Sequence, residues 1–161
     1  LGPAPGELEY RLTIAMSPTE ISSRVRRAFV EMPQAVGMNN HQGSAATGDA
    51  RVMNALGAEL RQQGMFFLDS VTSADSLAVP SMRAAGVATA RRDLFLDNVD
   101  DVEYVLTQIH QLVGMAKEQG HAVGIGHVRP NTLLALQQAL PQLKASGQRF
   151  AVLSAVVRLT P

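Results

Sequence analysis

The sequence contains no cysteine and no tryptophan, and aromatic residues make up only 4% of its 161 positions. The absence of cysteine excludes disulfides, thiolate nucleophiles and cysteine-based zinc sites. Basic and acidic residues number 14 each, which gives a net charge of zero, and no block of like charge occurs. This balance argues against attraction to nucleic acid or anionic lipid through overall charge. Apolar runs are short, and none approaches the roughly 20 residues that cross a bilayer, so we expect no membrane span.

The length and hydrophobic content fit one globular domain with a core of its own. We find no linker composition, and we predict that residues 1–161 form a single domain. The chain begins Leu1-Gly2-Pro3, without methionine and without a basic-then-apolar leader. We therefore expect a processed or truncated product from which an upstream signal peptide has been lost.

Helical periodicity alternates with short apolar runs along the chain, which predicts an α/β fold with a parallel sheet. Ser17-Pro18-Thr19-Glu20 is a helix start with a capping box. We predict an extended segment over 1–12 and a polar loop over 40–48. Predicted helices cover 18–32, 50–63 and 77–85. A fourth opens at Asp100 or Asp101 and runs to 119, and a fifth starts at Asn131 or Thr132 and runs to 145. The predicted strands cover 35–39, 65–68, 87–90, 94–96, 122–126 and 149–154.

Four apolar runs end in an ionisable residue at nearly equal intervals. These residues are His41, Asp69, Asp97 and His127, which are 28, 28 and 30 residues apart. Such a spacing is close to one strand–helix unit of a parallel α/β fold. Because ligands bind beyond the carboxyl ends of parallel strands, we expect the four side chains to lie along one rim.

Each histidine at a strand end has two interpretations. His41 lies in Asn39-Asn40-His41-Gln42-Gly43, where it is either a metal or ligand contact or part of a hydrogen-bonded turn. His127 follows a glycine-bearing strand and is either a general acid/base or metal ligand, or a histidine satisfied by a neighbouring carbonyl. We expect His110 and His121, which lie within and after a helical pattern, to be surface or packing residues.

The two aspartates also have alternatives. Asp69 and Asp97 end similar strands, where a carboxylate coordinates a metal, takes a proton, orients a histidine or caps a loop. We interpret Arg92-Asp93 as a structural ion pair. Neither a phosphate loop nor a nucleophile elbow occurs, so the sequence gives little support to nucleotide binding or serine-hydrolase chemistry.

Four segments, in this order and spacing, resemble the divergent polysaccharide deacetylase family. The resemblance implies an incomplete parallel (β/α) barrel, with this chain as its carboxyl-terminal part. It also implies a bacterial envelope protein exported to the periplasm, with an envelope glycan as its partner. The four segments are Val36–Ser44, Phe67–Thr72, Arg92–Asp97 and Ile125–Thr132.

The resemblance further implies a divalent metal, usually zinc, and hydrolysis of N-acetyl groups. His41 matches a metal-binding position, His127 matches the late strand-end histidine that acts as an acid, and Asp69 matches a second catalytic position. The residues expected to bind substrate are Asn39, Asn40, Ser44 and Asp97.

The sequence departs from the family pattern in two respects. The Ile-Asp-Asp and His-x-Pro-Met segments, which carry expected metal ligands, do not occur, so we expect an incomplete metal site. Val128 also replaces the usual proline after the late Gly-His.

Two functions follow as hypotheses, a metal-dependent glycan deacetylase and a non-catalytic glycan-binding or structural component of an envelope complex with a protein partner. An unrelated small α/β enzyme is a third interpretation, which holds only if the motif match is accidental.

Overall fold

Short parallel strands alternate with longer helices along residues 7–157, the part of the chain that the computed structural model describes. The mixed α/β class with parallel strands is therefore confirmed. The described residues divide into two units, one of residues 7–90 with Val157 and the other of residues 91–156. The prediction of a single domain over residues 1–161 stays a prediction.

The first unit contains a three-stranded sheet in the order β1-β2-β3. β1 and β2 pair in parallel, with Met38 opposite Phe67. Its elements are α1 (Glu7–Tyr10), α2 (Pro18–Glu31), β1 (Gly37–Asn39), α3 (Ser44–Thr47), α4 (Ala50–Gln63), β2 (Phe66–Asp69), α5 (Ala78–Ala84) and β3 (Thr89–Arg91), whose last residue belongs to the second unit.

The main helices of the first unit begin where the sequence predicts. Ser17 and Glu20 form the capping box of α2, with Pro18 at the first helical position. Asp49 caps α4 by accepting the Val52 N–H at 3.0 Å. Capping side chains satisfy backbone N–H groups that the first helical turn leaves unpaired, and this local chemistry fixes both helix starts.

The core of the first unit lies between its helices and the sheet. Phe67 of β2 packs with Leu60 of α4 and Met82 of α5, and all three are fully or almost fully buried. The buried carboxylate of Glu59 joins α4 to α2 through a 2.8 Å hydrogen bond from Arg26. Burial alone raises the pKa of Glu59, but hydrogen bonds from Arg26 and Gln63 outweigh burial and hold the pKa below its ordinary value.

The second unit contains a two-stranded parallel sheet flanked by two long helices. Its elements are β4 (Leu94–Phe95), α6 (Val102–Gln119), β5 (Gly124–Ile125), α7 (Pro130–Ala145) and α8 (Leu153–Val156). Leu94 lies opposite Gly124, and Phe95 lies opposite Ile125. The core joins Leu96, which follows β4, to the inner faces of α6 and α7.

The structure corrects three predictions of secondary structure. The strand predicted over 149–154 is absent: residues 148–152 are irregular and α8 follows. Phe150 and Val152 in this segment are 52% and 72% exposed. An exposed apolar run lacks the packing against neighbouring elements that stabilises a strand. The segment predicted to be extended over 1–12 is helical at Glu7–Tyr10, while its first six residues lie outside the described residues. The predicted loop over 40–48 includes the short helix α3.

Proline positions agree with the helices that the sequence predicts. Pro80 occupies the first turn of α5, where its missing N–H costs nothing. Pro141 lies inside α7, which continues past it to Ala145. None of the helices within residues 7–157 combines the length and apolar character needed to cross a bilayer.

The core of the first unit provides a stability prediction. Leu60 is 0% exposed, so we expect Leu60→Ala to lower the free energy of unfolding by about 2–5 kcal/mol, through lost burial and the cavity that remains. Val30, also in the first unit, is 78% exposed, and Val30→Ala is the matched control, with an expected change within about 0.5 kcal/mol. Urea denaturation followed by circular dichroism measures both. Equal effects of the two substitutions would contradict the assignment of Leu60 to the core.

Candidate functional site

Polar side chains follow β1 and β2 at their carboxyl ends and bind to one another. The Asn39 side-chain amide donates to Ser70 Oγ at 3.0 Å. The Ser70 N–H donates to Asn40 Oδ1 at 2.8 Å. These bonds connect the loop after β1 to the loop after β2. The two loops meet because adjacent parallel strands end at the same edge of a sheet.

Thr72 extends this contact between the two loops. Its hydroxyl donates to the Gln42 carbonyl oxygen at 2.7 Å, and its own carbonyl oxygen accepts from Ser44 Oγ at 3.2 Å. Gln42 and Val71 both have positive φ, 54° and 49°. Such backbone is costly for residues other than glycine, above all for a β-branched residue, and it persists only where surrounding contacts enforce it.

Asp69, predicted to be catalytic, is buried and uses both carboxylate oxygens within its own loop. Oδ1 accepts the Val71 N–H at 2.8 Å, and Oδ2 accepts the Ser76 hydroxyl at 2.8 Å. These contacts are typical of a carboxylate that shapes a loop. The catalytic role of Asp69 stays a prediction.

His41 is exposed and lines a cavity of about 580 Å³ in the first unit. Asn39, Asn40 and Ser44, three of the residues predicted to bind substrate, line the same cavity. Apolar side chains of Met38 and other core residues form part of the lining. A cavity with apolar walls and a few converging polar groups is the usual form of a small-molecule site.

The second unit holds a pair of residues, Asp97 and His127, in direct contact. Asp97 Oδ1 lies 3.0 Å from His127 Nδ1, and Asp97 Oδ2 accepts the His127 backbone N–H at 2.6 Å. The Asp97 side chain is fully buried, whereas the His127 side chain is 45% exposed. Because an ionised carboxylate only accepts hydrogen bonds, Nδ1 carries the proton in this contact and Nε2 is the nitrogen available to a ligand.

Neighbouring residues fix the Asp97 carboxylate in place. Thr132, in the first turn of α7, donates its hydroxyl to Asp97 Oδ2 at 2.8 Å, and Arg129 donates to the Asp97 carbonyl oxygen at 2.9 Å. Gly126 permits this packing, since a Cβ there would lie 3.0 Å from Thr132 Cγ2 and 3.6 Å from Asp97 Oδ2. A side chain at this position would therefore require Thr132 to shift by a few tenths of an ångström.

The hydrogen bonds around Asp97 favour its ionised form. Burial by itself raises the pKa of the Asp97 carboxyl group. The hydrogen bonds from the His127 ring, the His127 backbone and Thr132 outweigh burial and hold the pKa below its ordinary value. A buried carboxylate that stays ionised is suited to orienting an imidazole and to stabilising its protonated form.

The predicted site residues thus form two groups, one in each unit. The structure brings Asn39, Asn40, His41 and Ser44 to one cavity, and it brings Asp97 to His127. The prediction that His41, Asp69, Asp97 and His127 lie along one rim stays a prediction. Asp97, predicted to bind substrate, has both carboxylate oxygens bound within the protein. His110 is exposed on α6, and His121 is half-buried after it.

The sequence pattern assigns no chemical role to Thr132 or Arg129. Both lie in the Arg-Pro-Asn-Thr segment after His127, within a turn of the predicted start of α7. These two residues lie 32 and 35 positions from Asp97 in the sequence, so the sequence alone does not reveal their contacts with it. Asp93, interpreted as half of an ion pair, accepts the Val123 N–H at 2.7 Å through Oδ2. Arg92 stacks on Phe95, with its Cζ atom 3.9 Å from the ring centroid.

The described residues do not fit a complete metal site. Among residues 7–157, no three His, Asp or Glu side chains come together in a way that could hold an ion. The ten terminal residues outside this range include no His, Cys, Asp or Glu. His41 alone cannot supply the three or four ligands that zinc requires.

Comparison with known proteins identifies a family for this chain. The profile described as divergent polysaccharide deacetylase matches residues 3–157. An uncharacterized protein of Haemophilus influenzae is 39% identical over 132 residues, which are 82% of this chain and 47% of that protein. The uncharacterized protein YibQ of Escherichia coli K12 is 34% identical over 128 residues, 80% of this chain and 40% of YibQ. This chain therefore spans less than half the length of these relatives.

A solved structure shares the fold. The uncharacterized protein ATU2773 of Agrobacterium tumefaciens C58 superposes with a TM-score of 0.85 over 88% of this chain and 58% of that protein, at 19% sequence identity. At this identity the similarity supports the fold alone. The family profile, by contrast, extends over both units and over every segment that contributes to the two groups of site residues. This chain belongs to the divergent polysaccharide deacetylase family.

Proposed function

We propose that this chain is part of an amide hydrolase that removes N-acetyl groups from a cell-envelope glycan, and that His127 transfers the proton. The single observation that supports this most is the Asp97–His127 pair, in which a buried carboxylate orients a half-exposed imidazole. Membership of the divergent polysaccharide deacetylase family supports the reaction class.

The proton transfer follows from the geometry of this pair. In amide hydrolysis, water adds to the carbonyl carbon, the C–N bond breaks and the departing nitrogen takes a proton. With the Nδ1 proton held by Asp97, Nε2 of His127 first takes a proton from the water as it adds to the carbonyl carbon, and the resulting imidazolium then donates that proton to the departing nitrogen. Asp97 stays ionised and stabilises the imidazolium form. General acid catalysis of this kind contributes about 10²–10⁴-fold to a rate.

The cavity of the first unit is the proposed position for the sugar. Asn39, Asn40 and Ser44 line it with amide and hydroxyl groups, which suit the hydroxyl and acetamido groups of a glycan. The finer fold assignment, an incomplete parallel (β/α) barrel, belongs to this proposal and is supported by the parallel strands in both units. A periplasmic or envelope location with an envelope glycan as partner completes it.

A second candidate function is favoured by a different observation. Because the described residues do not assemble three metal-binding side chains, a non-catalytic glycan-binding or structural envelope component, with a protein partner, is consistent with the same cavity. The proposed proton transfer needs no metal, and His41 is the single proposed ligand for one.

Substitution of His127 tests the proposed role in proton transfer. We expect His127→Asn to lower the rate of acetate release from N-acetylated chitooligosaccharide by about 10²-fold or more, because no other group lies at the position of Nε2. His110→Asn is the matched control, since His110 is exposed on α6. Equal rates for wild type and His127→Asn would rule out this role. Glycan binding without acetate release by the wild type would favour the second candidate.

Acid titration of stability tests the ionised state of Asp97. The folded pKa of Asp97 lies below its ordinary value of 3.8. Its ionised form therefore stabilises the fold above the unfolded pKa, and this contribution disappears as the pH falls through the folded pKa. We expect wild type to be more stable than Asp97→Asn near neutral pH, with the difference shrinking below about pH 4. Denaturation at a series of pH values measures this difference in stability. A difference that grows as the pH falls would refute the assignment of an ionised Asp97.

Metal analysis tests whether this chain by itself holds a metal centre. We expect the isolated 161-residue chain to bind zinc below one equivalent and weakly, because a single exposed imidazole provides too few ligands. Mass-spectrometric metal analysis and calorimetric titration measure this, with His41→Ala as the comparison. One tightly bound equivalent that His41→Ala abolishes would instead show a metal centre and favour the hydrolase.

A further inference from the structure

The ring of Phe95 lies beside the His127 imidazole. The two rings are nearly parallel, with an interplanar angle of 10° and centroids 6.2 Å apart. This geometry is that of an offset stack between aromatic rings, which is favoured over a direct face-to-face arrangement. The His127 ring therefore has Asp97 at Nδ1 and the parallel, offset ring of Phe95 beside it.

The parallel register of β4 and β5 explains why Phe95 and Asp97, which belong to one segment, both contact His127. Phe95 lies opposite Ile125, so the chain two residues further along each strand brings Asp97 level with His127. Phe95 and Asp97 both contact the His127 ring, so their side chains lie on the same side of this segment. Leu96 between them is 7% exposed and packs in the core.

Arg92 completes the stack. Its guanidinium carbon lies 3.9 Å from the centroid of the Phe95 ring, within the distance of a cation–π contact. Phe95 is only half-buried, so contact with a planar guanidinium restricts a ring that the core does not enclose. The three side chains form a series of contacts, Arg92 to Phe95 to His127, which we call the aromatic stack.

We propose that Phe95, supported by Arg92, is a positioning residue that fixes the plane of the His127 imidazole. A hydrogen bond at Nδ1 sets the direction of the ring edge but permits rotation about the bond axis. A flat neighbour opposes that rotation, so that Nε2 keeps one orientation. The consequence for catalysis rests on the proposed function, whereas the effect on the ring of His127 does not.

Nuclear magnetic resonance of the complete chain tests the stack directly. Signals of the four histidine rings are recorded, and that of His127 is assigned by its loss in His127→Asn. We expect Phe95→Leu to remove the ring-current shift of the His127 ring protons and Phe95→Tyr to retain it. Phe150→Leu is the matched control, because Phe150 belongs to the same unit and is 52% exposed.

Kinetics test the catalytic consequence. We expect Phe95→Leu to lower kcat for acetate release from N-acetylated chitooligosaccharide by about threefold to tenfold, with KM nearly unchanged. Phe95→Tyr should restore kcat. Arg92→Gln should give a smaller loss of the same kind, and it serves as the test variant if Phe95→Leu does not fold.

The outcomes separate this inference from the proposed function. Unchanged His127 ring signals in folded Phe95→Leu, or in Arg92→Gln when the leucine variant does not fold, would overturn the stack. So would a loss of kcat in Phe95→Leu that Phe95→Tyr does not restore. A wild type that releases no acetate but shows the expected ring-current changes would overturn the hydrolase and leave the positioning of His127 established.

Discussion

The hydrogen bond between Asp97 and His127 is the contact on which the orientation of the imidazole in the second unit depends. It forms because β4 and β5 run parallel in a register that brings the chain just beyond each strand to the same level. Gly126 leaves room for Thr132 beside the carboxylate, and Thr132 helps to keep Asp97 ionised. Backbone register, a missing side chain and the start of a helix therefore combine to orient one imidazole.

The two aspartates that end similar strands have different surroundings. Asp69 directs both oxygens to its own loop, to the Val71 N–H and the Ser76 hydroxyl. Asp97 directs its oxygens to His127 and Thr132, about 30 residues further along the chain. Because the two carboxylates accept hydrogen bonds from different groups, Asp69 stabilises a loop and Asp97 orients an imidazole.

This chain belongs to the divergent polysaccharide deacetylase family, and the relatives compared with it are themselves uncharacterized. The described residues contain an oriented histidine and a polar cavity but no cluster of three metal-binding side chains. The residues of this chain therefore support two parts of the proposed reaction, proton transfer and sugar binding.

Local chemistry in the sequence determined where most elements begin and end. Ser17, Asp49 and Asp101 cap helices at the predicted places, and glycine ends two of these helices, because caps and stops depend on neighbouring residues alone. The strand predicted over 149–154 failed because an apolar run does not reveal whether other elements will bury it. The spacing of strand ends predicted His127 and Asp97 as site residues. Their mutual contact, and the stacking of Phe95 on the imidazole, were decided by tertiary structure, since strand register brings together side chains that are distant in sequence.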